Sequence, residues 1–489
     1  MRLNPLLQSA GVPAILSDPE ISSLAYDSRR AGAGSLFFAL PGAKTNGAEF
    51  APQAAGNGAA AIVAQSPVGD CGCPVVQVPD ARTVMADIAA SFYGHPDRSL
   101  KCAGVTGTNG KTTSAFLMKH LFDSASLRSG LIGTVKYVVG SEEISAPRTT
   151  PESADLQEMM ARMRDGGSKA VVMEVSSHAL VQQRVRGIEF DAAVFTNLTQ
   201  DHLDYHRSME AYFEAKTLLF EGLAAQTTKK GRAIINADER HGHLLRERIG
   251  KKVRTATFGR GVGADFRASA IQFDGTGSVF RLDAKRKSFL VRMPLIGLFN
   301  IYNALAALAA AAACGVELRG AISSLASAPQ VPGRLQRVAA KRNFHVFVDY
   351  AHTDDALRNV LRTLKELKPA RLVTVFGCGG DRDRAKRPLM AAAAEEFSDW
   401  TVITSDNPRR EDPEAIIRDV EAGMSGAHFE KITDREVAIR HAIDLAAPGD
   451  IVLIAGKGHE NYQEFAGRRI AFDDVDVAGK AMANKKTEG

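Results

Sequence analysis

Residues 104–113 read Gly-Val-Thr-Gly-Thr-Asn-Gly-Lys-Thr-Thr. An apolar run that predicts a strand precedes them, and a segment with apolar residues at helical spacing follows from Ser114 onward. A strand, a glycine-rich loop and a helix in this order form a cradle for phosphate, because backbone N–H groups and the helix N-terminus point at the anion. We therefore predict a nucleotide-binding loop made by Gly107, Thr108, Asn109, Gly110, Lys111, Thr112 and Thr113.

Two side chains of this loop are expected to carry chemistry. The Lys111 amine should reach the terminal phosphates of the nucleotide, and the Thr112 hydroxyl should ligate Mg²⁺. The first glycine stands at 104 rather than 105, so the spacing departs from the usual phosphate-loop pattern. The alternative is a tight glycine turn between a strand and a helix that binds no ligand.

Length, composition and charge limit the possible classes of protein. A chain of 489 residues indicates about three domains, for which we predict the bounds 1–98, 99–328 and 329–489. The net charge of +5 is small for this length, so we expect no nucleic-acid partner. Five scattered cysteines favour a reducing compartment. Because we also find no signal peptide and no long apolar span, we expect a cytoplasmic protein without membrane insertion. We also expect a monomer.

The first 98 residues predict a small α/β domain. Apolar runs at 36–40 and 61–64 are typical of strands. Ser28 and Arg29 lie in a polar loop that could hold a diphosphate or a uracil ring, although a solvated turn explains the same residues. The segment at 92–101 contains Gly and Pro and predicts a linker.

The central region has a carboxylate near the end of a predicted buried strand. Residues 170–175 form an apolar run that includes Glu174 near its carboxyl end, where open α/β sheets bind ligands. A buried carboxylate is costly unless it is paired or bound to a metal, and here we favour Mg²⁺ over a structural ion pair. Upstream, Arg148, Thr149 and Thr150 are candidate anion ligands, but Thr150 or Ser153 could equally cap the next helix.

His202, His206 and Lys216 are further candidates in the central region. The two histidines are four residues apart, a spacing that could bind zinc on a helix, but no further ligand with firm spacing accompanies them. Either histidine could instead be a satisfied polar residue. Lys216 lies on an otherwise apolar helix, where a lysine usually extends its amine to solvent.

Alternating residues at 269–297 predict antiparallel strands, and an Ala-rich helix follows them. We predict that Asn300 is the N-cap of this helix. Asn303, one turn later, is then free to reach the edge of an adenine ring. The Pro- and Gly-containing segment at 329–334 predicts a hinge before the last region.

The last region predicts a doubly wound parallel sheet. Apolar runs at 346–348, 372–376, 401–404 and 451–455 are separated by helical segments, and a polar loop follows each run. Because the carboxyl ends of parallel strands lie at one edge of a sheet, these loops should form one binding face. That face has no glycine-rich phosphate loop, so we expect it to share the nucleotide of the central domain.

Together these motifs resemble those of the Mur ligase family. They are Gly-Thr-Asn-Gly-Lys-Thr-Thr at 107–113, Glu-Val-Ser-Ser-His at 174–178, Asp-His-Leu-Asp at 201–204, the Lys216 helix, Asn300 with Asn303, and Asp-Tyr-Ala-His at 349–352. The resemblance covers essentially the whole chain, in order. It implies an α/β chain of three domains: a small N-terminal α/β domain, a central P-loop-type ATPase domain with a parallel sheet and a small antiparallel sheet, and a C-terminal Rossmann-like domain.

The resemblance implies an ATP-dependent carbon–nitrogen ligase of peptidoglycan precursor synthesis. Residues 406–409, Asp-Asn-Pro-Arg, resemble those of family members that add meso-2,6-diaminopimelate to the D-Glu γ-carboxylate of UDP-N-acetylmuramoyl-L-Ala-D-Glu through an acyl phosphate. The implied cofactors are ATP, Mg²⁺ and a CO₂-derived carbamate on Lys216. The implied catalytic residues are Lys111, Glu174, His202 and Lys216, and the implied metal ligands are Thr112, Glu174, His202 and the carbamylated Lys216.

Binding residues carry over from the family in three groups. The nucleotide contacts are Asn300 and Asn303 near adenine, Asp349 on ribose and Arg334 near the phosphates. The nucleotide-sugar contacts are Ser28 for uridine and Thr149, Thr150, Ser176, Gln182 and Arg184 for the muramoyl peptide. The amino-acid pocket is formed by Arg382, Asp406, Asn407, Arg409, Gly456 and Glu460. A guanidinium at 409 pairs with the distal carboxylate of diaminopimelate, which lysine lacks.

Other activities stay open at this point. A related family member adds L-lysine instead of diaminopimelate. Folylpolyglutamate synthase shares the phosphate loop and the fold, but it should lack the uridine-binding domain and the Asp-Asn-Pro-Arg loop. A nucleotide switch or nucleic-acid-binding protein would need a basic face or base-reading elements, against which the near-neutral charge argues.

Overall fold

The computed structural model describes residues 1–42, 45–339 and 342–485. They form two compact units whose segments alternate along the chain. The first unit comprises Met1–Ser269, Leu282–Phe289 and Tyr302–Leu325; the second comprises Ala270–Arg281, Leu290–Ile301 and the residues from Ala326 onward. Within the described ranges every helix is too short or too polar to cross a membrane. The domain bounds at 98 and 328 stay predictions.

A parallel sheet of four strands opens the first unit. The strands, named in their spatial order, are β1 (Ser23–Ala25), β2 (Ser35–Ala39), β3 (Ala61–Ala64) and β4 (Val75–Gln77). The accompanying helices are α1 (Leu3–Ser9), α2 (Ala51–Gly56) and α3 (Ala81–Phe92). β2 and β3 are buried along their whole length, as continuous apolar runs predict for parallel strands. Both predicted strands of this region are confirmed.

The connection after α3 is packed rather than loose. A 3₁₀-helix at Pro96–Arg98 occupies it. Asp97 is buried there, and its carboxylate accepts a hydrogen bond from the Glu189 backbone N–H at 3.1 Å. The segment predicted as a linker at 92–101 is therefore a short, tight connection into the next strand.

The central sheet carries the predicted phosphate loop. Its strands are β5 (Lys101–Thr106), β6 (Ser129–Ile132), β7 (Lys136–Val139), β8 (Glu142–Ser145), β9 (Ala170–Glu174), β10 (Ala192–Phe195), β11 (Arg232–Asn236), β12 (Arg254–Gly259), β13 (Phe266–Asp274), β14 (Gly277–Ala284) and β15 (Lys287–Met293). Parallel strands run in the order β12-β11-β10-β5-β9-β6. On one side β7 and then β8 follow β6, and both pairings are antiparallel. On the other side β13 pairs parallel with β12, and β14 and β15 follow it.

Eight helices of the described residues lie in this part of the sequence, and several contribute to the core around the parallel strands. They are α4 (Lys111–Ser124), α5 (Ser153–Asp165), α6 (Ser177–Val181), α7 (Leu203–His206), α8 (Met209–Ala225), α9 (Arg240–Ile249), α10 (Leu298–Ala313) and α11 (Leu318–Ser324). Leu156 of α5 and Phe220 of α8 are fully buried with the strand residues Val171 and Phe195 in one core. The strand predicted before the glycine loop, the strand predicted within the apolar run at 170–175 and the helix after the glycine loop are confirmed.

Three strand ends lie side by side at the carboxyl edge of the central sheet. In its register Val105 lies beside Glu174, and Thr106 lies beside Phe195. The phosphate loop after β5 and the segments after β9 and β10 therefore leave the sheet at neighbouring points. This is the edge at which open α/β sheets bind ligands.

Helix α10 begins earlier than the sequence predicts. Gly297 has φ 92° and turns the chain, so the helix starts at Leu298 and Asn300 lies inside its first turn. The prediction of Asn300 as N-cap is therefore wrong; its side-chain amide donates to the Ile296 carbonyl at 2.9 Å. Asn303 is buried and its Oδ1 accepts from the Ser114 hydroxyl at 3.3 Å, so the expectation of a free side chain is also wrong.

The second unit contains the predicted doubly wound sheet. Its strands are β16 (Gln336–Arg337), β17 (His345–Asp349), β18 (Leu372–Phe376), β19 (Trp400–Ile403), β20 (Phe429–Lys431) and β21 (Ile451–Ala455). The spatial order is β16-β17-β21-β18-β19-β20, and all neighbours except β16 and β17 are parallel. A separate antiparallel hairpin consists of β22 (Tyr462–Phe465) and β23 (Arg468–Ala471).

Helices cover both faces of this sheet. They are α12 (Asp354–Glu366), α13 (Lys386–Phe397), α14 (Pro413–Glu421), α15 (Arg435–Leu445) and α16 (Asp474–Asn484). Leu361 and Ile416 belong to one core, whereas Ile439 and Ala478 belong to another, so α12 and α14 pack on the face opposite to α15 and α16. The α/β class and the doubly wound sheet are confirmed.

Candidate active site

Two glycines shape the phosphate loop between β5 and α4. Gly107 has φ 148° and Gly110 has φ 85°, conformations that side-chain-bearing residues rarely adopt. A Cβ at Gly107 would collide with the Thr196 hydroxyl, and one at Gly110 would collide with the Asn303 amide oxygen. Glycine is therefore required at both positions by backbone conformation and by close packing.

Asn197, which follows β10, holds the middle of the loop. Its backbone carbonyl accepts from the Thr108 N–H at 3.0 Å, and its side-chain oxygen accepts from the Asn109 N–H at 2.9 Å. Lys111, Thr112 and Thr113 then form the first turn of α4. The predicted cradle is thus a loop tied to the neighbouring strand end.

Two lysine amines converge on one backbone carbonyl of the loop. Lys111 Nζ donates to the carbonyls of Gly107 and Thr108 at 2.9 and 2.7 Å. Lys216 Nζ, from α8, donates to the same Gly107 carbonyl at 2.9 Å. The structure therefore brings Lys111 and Lys216 together, although 105 residues separate them in the sequence.

Lys216 is enclosed, so the expectation that its amine extends to solvent is wrong. The residue is 1% exposed, and its amine lies 4.2 Å from the centroid of the Tyr212 ring. Burial, and then the positive charge of Lys111, lower the pKa of the Lys216 amine well below its ordinary value. The site thus favours an uncharged, nucleophilic amine at this position.

Glu174 presents a carboxylate beside the loop. Its Oε2 accepts from the hydroxyls of Thr112 and Thr134, each at 3.0 Å, and its Oε1 accepts from the Thr134 N–H at 2.8 Å. The residue is 1% exposed. Because these donors are uncharged, a bound cation could balance the charge of the carboxylate. Hydroxyl and carboxylate oxygens are the ligands that Mg²⁺ prefers.

The segment at 149–150 connects Glu174 to the following loop. The hydroxyls of Thr149 and Thr134 are 3.1 Å apart, and the Thr150 hydroxyl donates to the Glu174 carbonyl at 2.8 Å. The Thr150 oxygen also accepts from the Ser176 N–H at 3.2 Å. The N-cap of α5 is Glu152, without a side-chain cap hydrogen bond, so the alternative of a capping role for Thr150 or Ser153 is wrong.

Gln182 and Arg184 lie next to this segment. Arg184 Nη1 donates to the Thr150 carbonyl at 2.8 Å, and Nη2 donates to the Gln182 side-chain oxygen at 2.7 Å. Together with Ser176, which caps α6 by accepting from the Ala179 N–H, they form one continuous polar patch. The structure therefore brings together five of the predicted nucleotide-sugar contacts: Thr149, Thr150, Ser176, Gln182 and Arg184.

His202 belongs to a group of aromatic rings. The His178 ring centroid lies 5.1 Å from that of His202 and 5.5 Å from that of His206. Burial and the charges of Lys111 and Lys216 lower the pKa of His202. His206 Nε2 is 2.8 Å from the Ser177 hydroxyl, which is the satisfied alternative predicted for a histidine here. Among the described residues, no three His, Cys, Asp or Glu side chains are arranged to hold a metal ion, and zinc gains no support.

Ser28 lies in the four-stranded domain. It begins a 3₁₀-helix, Ser28–Arg30, that Asp27 caps by accepting from the Arg29 N–H. The Ser28 hydroxyl is buried and donates to the Gln53 side-chain oxygen at 2.7 Å. The predicted loop is therefore an ordered turn with an inward-facing serine, rather than a solvated one.

The second unit brings together the loops after β19 and β21. Lys457 Nζ donates to Asn407 Oδ1 at 3.1 Å and to Glu460 Oε2 at 3.2 Å. Asn407 Nδ2 donates to the same Glu460 oxygen at 2.8 Å. Gly456 has φ 113°, and a Cβ there would lie 2.6 Å from Asp406 Oδ2. Four of the predicted pocket residues are therefore neighbours, and glycine at 456 permits their close approach.

Arg409 and Arg382 both flank Gly379. The Arg409 backbone has φ 54°, and its guanidinium donates to the Gly380 carbonyl. A Cβ at Gly379 would lie 3.0 Å from Arg409 Nη1 and 3.7 Å from Arg382 Cγ. The structure thus places the two predicted arginines at adjacent loops after β18 and β19.

Asp349 and Arg334 lie at the end of β17 and just before β16. Both carboxylate oxygens of Asp349 accept backbone N–H groups, from Leu335 at 2.6 Å and Ala351 at 2.8 Å. Burial raises the pKa of this carboxyl group. The Arg334 guanidinium stacks 5.0 Å from the centroid of the Tyr350 ring.

Some residues of the candidate site were not predicted from the sequence. Thr134, which holds Glu174, lies in a short polar turn without a motif. Lys457 is fully buried between two glycines after an apolar strand, and that placement was the one available signal. Glu152 pairs with the nearby Arg148 and also with Arg82 and Arg184, which are distant in the sequence and which no local pattern reveals.

Family models match three regions of the chain. The Mur ligase family catalytic domain matches residues 20–93, the Mur ligase middle domain matches 105–311, and the Mur ligase glutamate ligase domain matches 333–458. These regions include the phosphate loop, the Glu174 strand and most of the second-unit loops.

Full-length relatives are also similar. A UDP-N-acetylmuramoyl-L-alanyl-D-glutamate–2,6-diaminopimelate ligase of Syntrophomonas wolfei is 45% identical over 472 residues, which are 96% of each chain. One of Geobacillus kaustophilus is 46% identical over 473 residues, again 96% of each chain. A solved structure with this name has a TM-score of 0.73 and 35% identity over 99% of each chain. The chain therefore belongs to the Mur ligase family.

Proposed function

We propose that the chain is an ATP-dependent ligase that adds meso-2,6-diaminopimelate to UDP-N-acetylmuramoyl-L-Ala-D-Glu in peptidoglycan precursor synthesis. The observation that carries the proposal is the convergence of Lys111, Lys216, Thr112 and Glu174 at one sheet edge, in a chain that is 45% identical to a ligase of this name. The new bond joins the D-Glu γ-carboxyl carbon to an amine nitrogen of diaminopimelate.

The reaction has to bring anions together. A γ-carboxylate oxygen attacks the γ-phosphorus of ATP, ADP leaves, and the amine then attacks the acyl carbon of the acyl phosphate while phosphate leaves and a proton is lost. Two unit charges at 4 Å interact by about 4 kcal/mol at an effective dielectric near 20. Lys111 supplies positive charge at the loop, where phosphate oxygens compete with the Gly107 and Thr108 carbonyls for its amine.

Thr112 and Glu174 provide the type of ligand atom that Mg²⁺ prefers. Both present oxygen atoms, they touch at 3.0 Å, and the Glu174 carboxylate is held by uncharged donors. His202, on the adjacent segment after β10, would hold a second ion. Bound Mg²⁺ would neutralise charge that develops on the β- and γ-phosphate oxygens.

The surroundings of the Lys216 amine suit its reaction with CO₂ to form a carbamate. In that reaction the amine nitrogen attacks the carbon of CO₂, an N–C bond forms and one proton leaves to solvent. Burial beside Lys111 favours the uncharged amine before the reaction, and the Lys111 cation favours the carbamate anion after it. The modified side chain would supply an anionic ligand for the second Mg²⁺.

Nucleotide and nucleotide-sugar contacts complete the proposal. Asn300 and Asn303 lie near adenine, Asp349 binds ribose and Arg334 lies near the phosphates. Ser28 binds the uridine, and the polar patch formed by Thr149, Thr150, Ser176, Gln182 and Arg184 binds the muramoyl dipeptide. The five cysteines are free thiols, which suits a reducing compartment such as the cytoplasm.

The loops after β18, β19 and β21 would select the amino acid. Arg409, with Arg382 beside it, binds the distal carboxylate of diaminopimelate through a bidentate guanidinium–carboxylate ion pair. Asp406, Asn407, Gly456 and Glu460 surround the ammonium and the carboxylate at that end. L-Lysine places a lone ammonium against the two guanidinium groups, so a lysine-adding activity is disfavoured.

A phosphate-release assay tests the proposed function. The full chain is given ATP, Mg²⁺ and the nucleotide-sugar dipeptide, with diaminopimelate, L-lysine or no amino acid. We expect release that requires both the dipeptide and diaminopimelate, and a coupled product of the corresponding mass. Equal turnover of lysine, or glutamate addition to a folate, would contradict the proposal in favour of the two alternative ligases.

A further inference from the structure

Glu152 collects three guanidinium groups in the first unit. Its carboxylate lies 2.9 Å from Arg82 Nη1, 2.6 Å from Arg148 Nη1 and 3.0 Å from Arg184 Nη2. The glutamate itself is 3% exposed. Arg82 belongs to α3, whereas Arg148 and Arg184 flank the polar patch around Thr150. We call these four residues the Glu152 cluster.

The charges of this cluster do not balance. The three arginines carry more positive charge than Glu152 and Asp80 can balance, Asp80 being the acidic residue at the start of α3 that interacts with Arg82. Burial and the neighbouring Arg148 and Arg82 lower the pKa of Arg184, although the carboxylate of Glu152 acts in the opposite direction. The Nε–H of Arg184 is also buried without a hydrogen-bond partner in the described part of the chain. Like charges that are gathered and partly buried in this way are stabilised by an added anion.

A nearby ion pair shows what a purely structural link looks like here. Arg186, two residues after Arg184, also reaches α3, where its Nε contacts the two carboxylate oxygens of Asp87 at 2.8 and 3.1 Å. That pair joins the same two parts of the unit, with one charge of each sign. Attaching α3 therefore requires no surplus of arginines.

The position of the cluster connects it to the reacting groups. Arg148 precedes Thr149, whose hydroxyl is 3.1 Å from that of Thr134, and the Thr134 hydroxyl donates to Glu174 at 3.0 Å. The segment at 148–152 thus has the Glu174 carboxylate near one side and the arginines near the other. The Arg148 side chain is 49% exposed, so part of its guanidinium is accessible to a ligand.

We propose that the Glu152 cluster is an anion subsite in which Arg148 and Arg82, beside Arg184, bind an oxyanion of the substrate. Glu152 positions the three guanidinium groups and takes no part in the contact. The ligand is a phosphate or carboxylate group of the nucleotide-sugar peptide, so this inference rests on the proposed function. Holding that group would orient the peptide so that its reacting carboxylate approaches the phosphate loop.

Calorimetric titration of Arg148→Gln tests the subsite without turnover. The probe is UDP-N-acetylmuramoyl-L-Ala-D-Glu in the absence of ATP and amino acid, and wild-type protein is measured in parallel. We expect Kd to rise about tenfold or more, because a charge-assisted contact is lost. Arg148→Lys should recover part of this affinity, since it restores the charge without the two-pronged geometry.

Arg186→Gln is the matched control. Its side chain is 46% exposed, close to the value for Arg148, and it loses a balanced ion pair with α3. We expect its affinity for the nucleotide-sugar peptide to stay within a factor of about two of wild type. Arg82→Gln should weaken binding like Arg148→Gln; if it fails to fold, the half-exposed Arg148 variant still decides.

A second ligand identifies the anion. UDP-N-acetylglucosamine shares the uridine, diphosphate and sugar but has no peptide carboxylates. If Arg148→Gln weakens the binding of both ligands, the subsite holds phosphate; if it weakens only the peptide ligand, the subsite holds a carboxylate. Unchanged affinity of Arg148→Gln for the nucleotide-sugar peptide would overturn the subsite, whereas failure of wild type to bind that ligand would instead overturn the proposed function.

Discussion

Two buried glutamates of the first unit, Glu174 and Glu152, have opposite surroundings. Glu174 accepts from the hydroxyls of Thr112 and Thr134 and from the Thr134 backbone N–H. Glu152 is instead surrounded by the guanidinium groups of Arg82, Arg148 and Arg184. Both are at most 3% exposed, and the segment at 148–152 runs between them. The two glutamates differ in the net charge of the group that each forms with its partners.

That remaining charge indicates the sign of the ligand. The donors to Glu174 are neutral, so its negative charge suits Mg²⁺. The arginines around Glu152 outnumber the carboxylates, which suits a phosphate or a carboxylate. A buried acidic side chain is therefore informative only together with the charges of its partners, and the same residue type can serve a cation site or an anion site.

Glu174→Gln should have the largest effect on activity. The amide keeps the shape and can still accept from Thr112, but it removes the negative charge that would hold Mg²⁺. We expect kcat for phosphate release to fall about 10³-fold, a loss of about 4 kcal/mol in transition-state stabilisation. Thermal unfolding serves as the control for folding. Activity within a few-fold of wild type would remove Glu174 from the metal site.

An ion pair in the second unit, whose two charges balance each other, sharpens the comparison. Arg435 and Asp474 are buried and joined by two hydrogen bonds of 2.8 Å, and the arginine also donates to the carbonyls of Ser405 and Ala455. Because no charge remains, we expect Asp474→Asn to affect stability, with a loss of about 3 kcal/mol in the free energy of unfolding. Urea denaturation measures this loss. A stability within about 0.5 kcal/mol of wild type would show that this charge balance is unimportant.

Arg409→Gln extends the comparison to the proposed amino-acid pocket. Arg409 and Arg382 lie on adjacent loops around Gly379, and a distal carboxylate would be their counterion. We expect kcat/KM for diaminopimelate to fall about 10²-fold, while that for L-lysine, whose ammonium is repelled less, does not fall. Parallel phosphate-release assays with the two amino acids give the ratio. A variant that still prefers diaminopimelate by the wild-type factor would exclude Arg409 as the selective group.

Lys216→Met should give the smallest effect, and a stabilising one. Burial lowers the pKa of Lys216 in the folded state, so at a pH between the folded-state and unfolded-state pKa values folding releases a proton that the unfolded chain retains. The wild-type protein therefore gains stability as pH rises toward the ordinary lysine pKa of about 10.4. In CO₂-free buffer Lys216→Met should raise Tm by a few degrees at pH 7, and this gain should shrink as pH rises.

The control for that experiment is Lys480→Met. Lys480 is exposed and makes one ion pair with Asp476 within a helical turn. Its replacement should leave Tm nearly unchanged at every pH. A Lys216→Met protein that is less stable than wild type at pH 7, or whose advantage grows with pH, would contradict the uncharged buried amine.

Local sequence patterns predicted most of the fold, but at the charged sites they predicted individual residues and not the distant partners of those residues. Glycines at 107 and 110, the apolar run before Glu174 and four strand–loop repeats in the second unit follow from short-range rules, and the structure has the corresponding elements. The prediction of Asn300 as N-cap was wrong, because the helix starts after Gly297, three residues earlier. Local rules locate elements well and their first residues less well.

Partners that are distant in sequence could not be predicted. Arg82 and Glu152 are 70 residues apart, and Lys216 and Gly107 are 109 apart. Such pairs depend on how helices pack on the sheets, and helical spacing alone does not determine that. Lys216 therefore resembled an ordinary surface lysine until its burial and its contact with the Gly107 carbonyl were visible.

A crossed binding experiment on Glu174→Gln and Arg148→Gln tests the central claim most directly. Each variant is titrated with ADP in the presence and absence of Mg²⁺, and with UDP-N-acetylmuramoyl-L-Ala-D-Glu. We predict that Glu174→Gln loses the Mg²⁺-dependent part of ADP affinity and keeps peptide affinity, while Arg148→Gln does the reverse. Two variants that weaken the same ligand, or a Glu174→Gln that weakens the peptide as strongly as Arg148→Gln, would contradict the account.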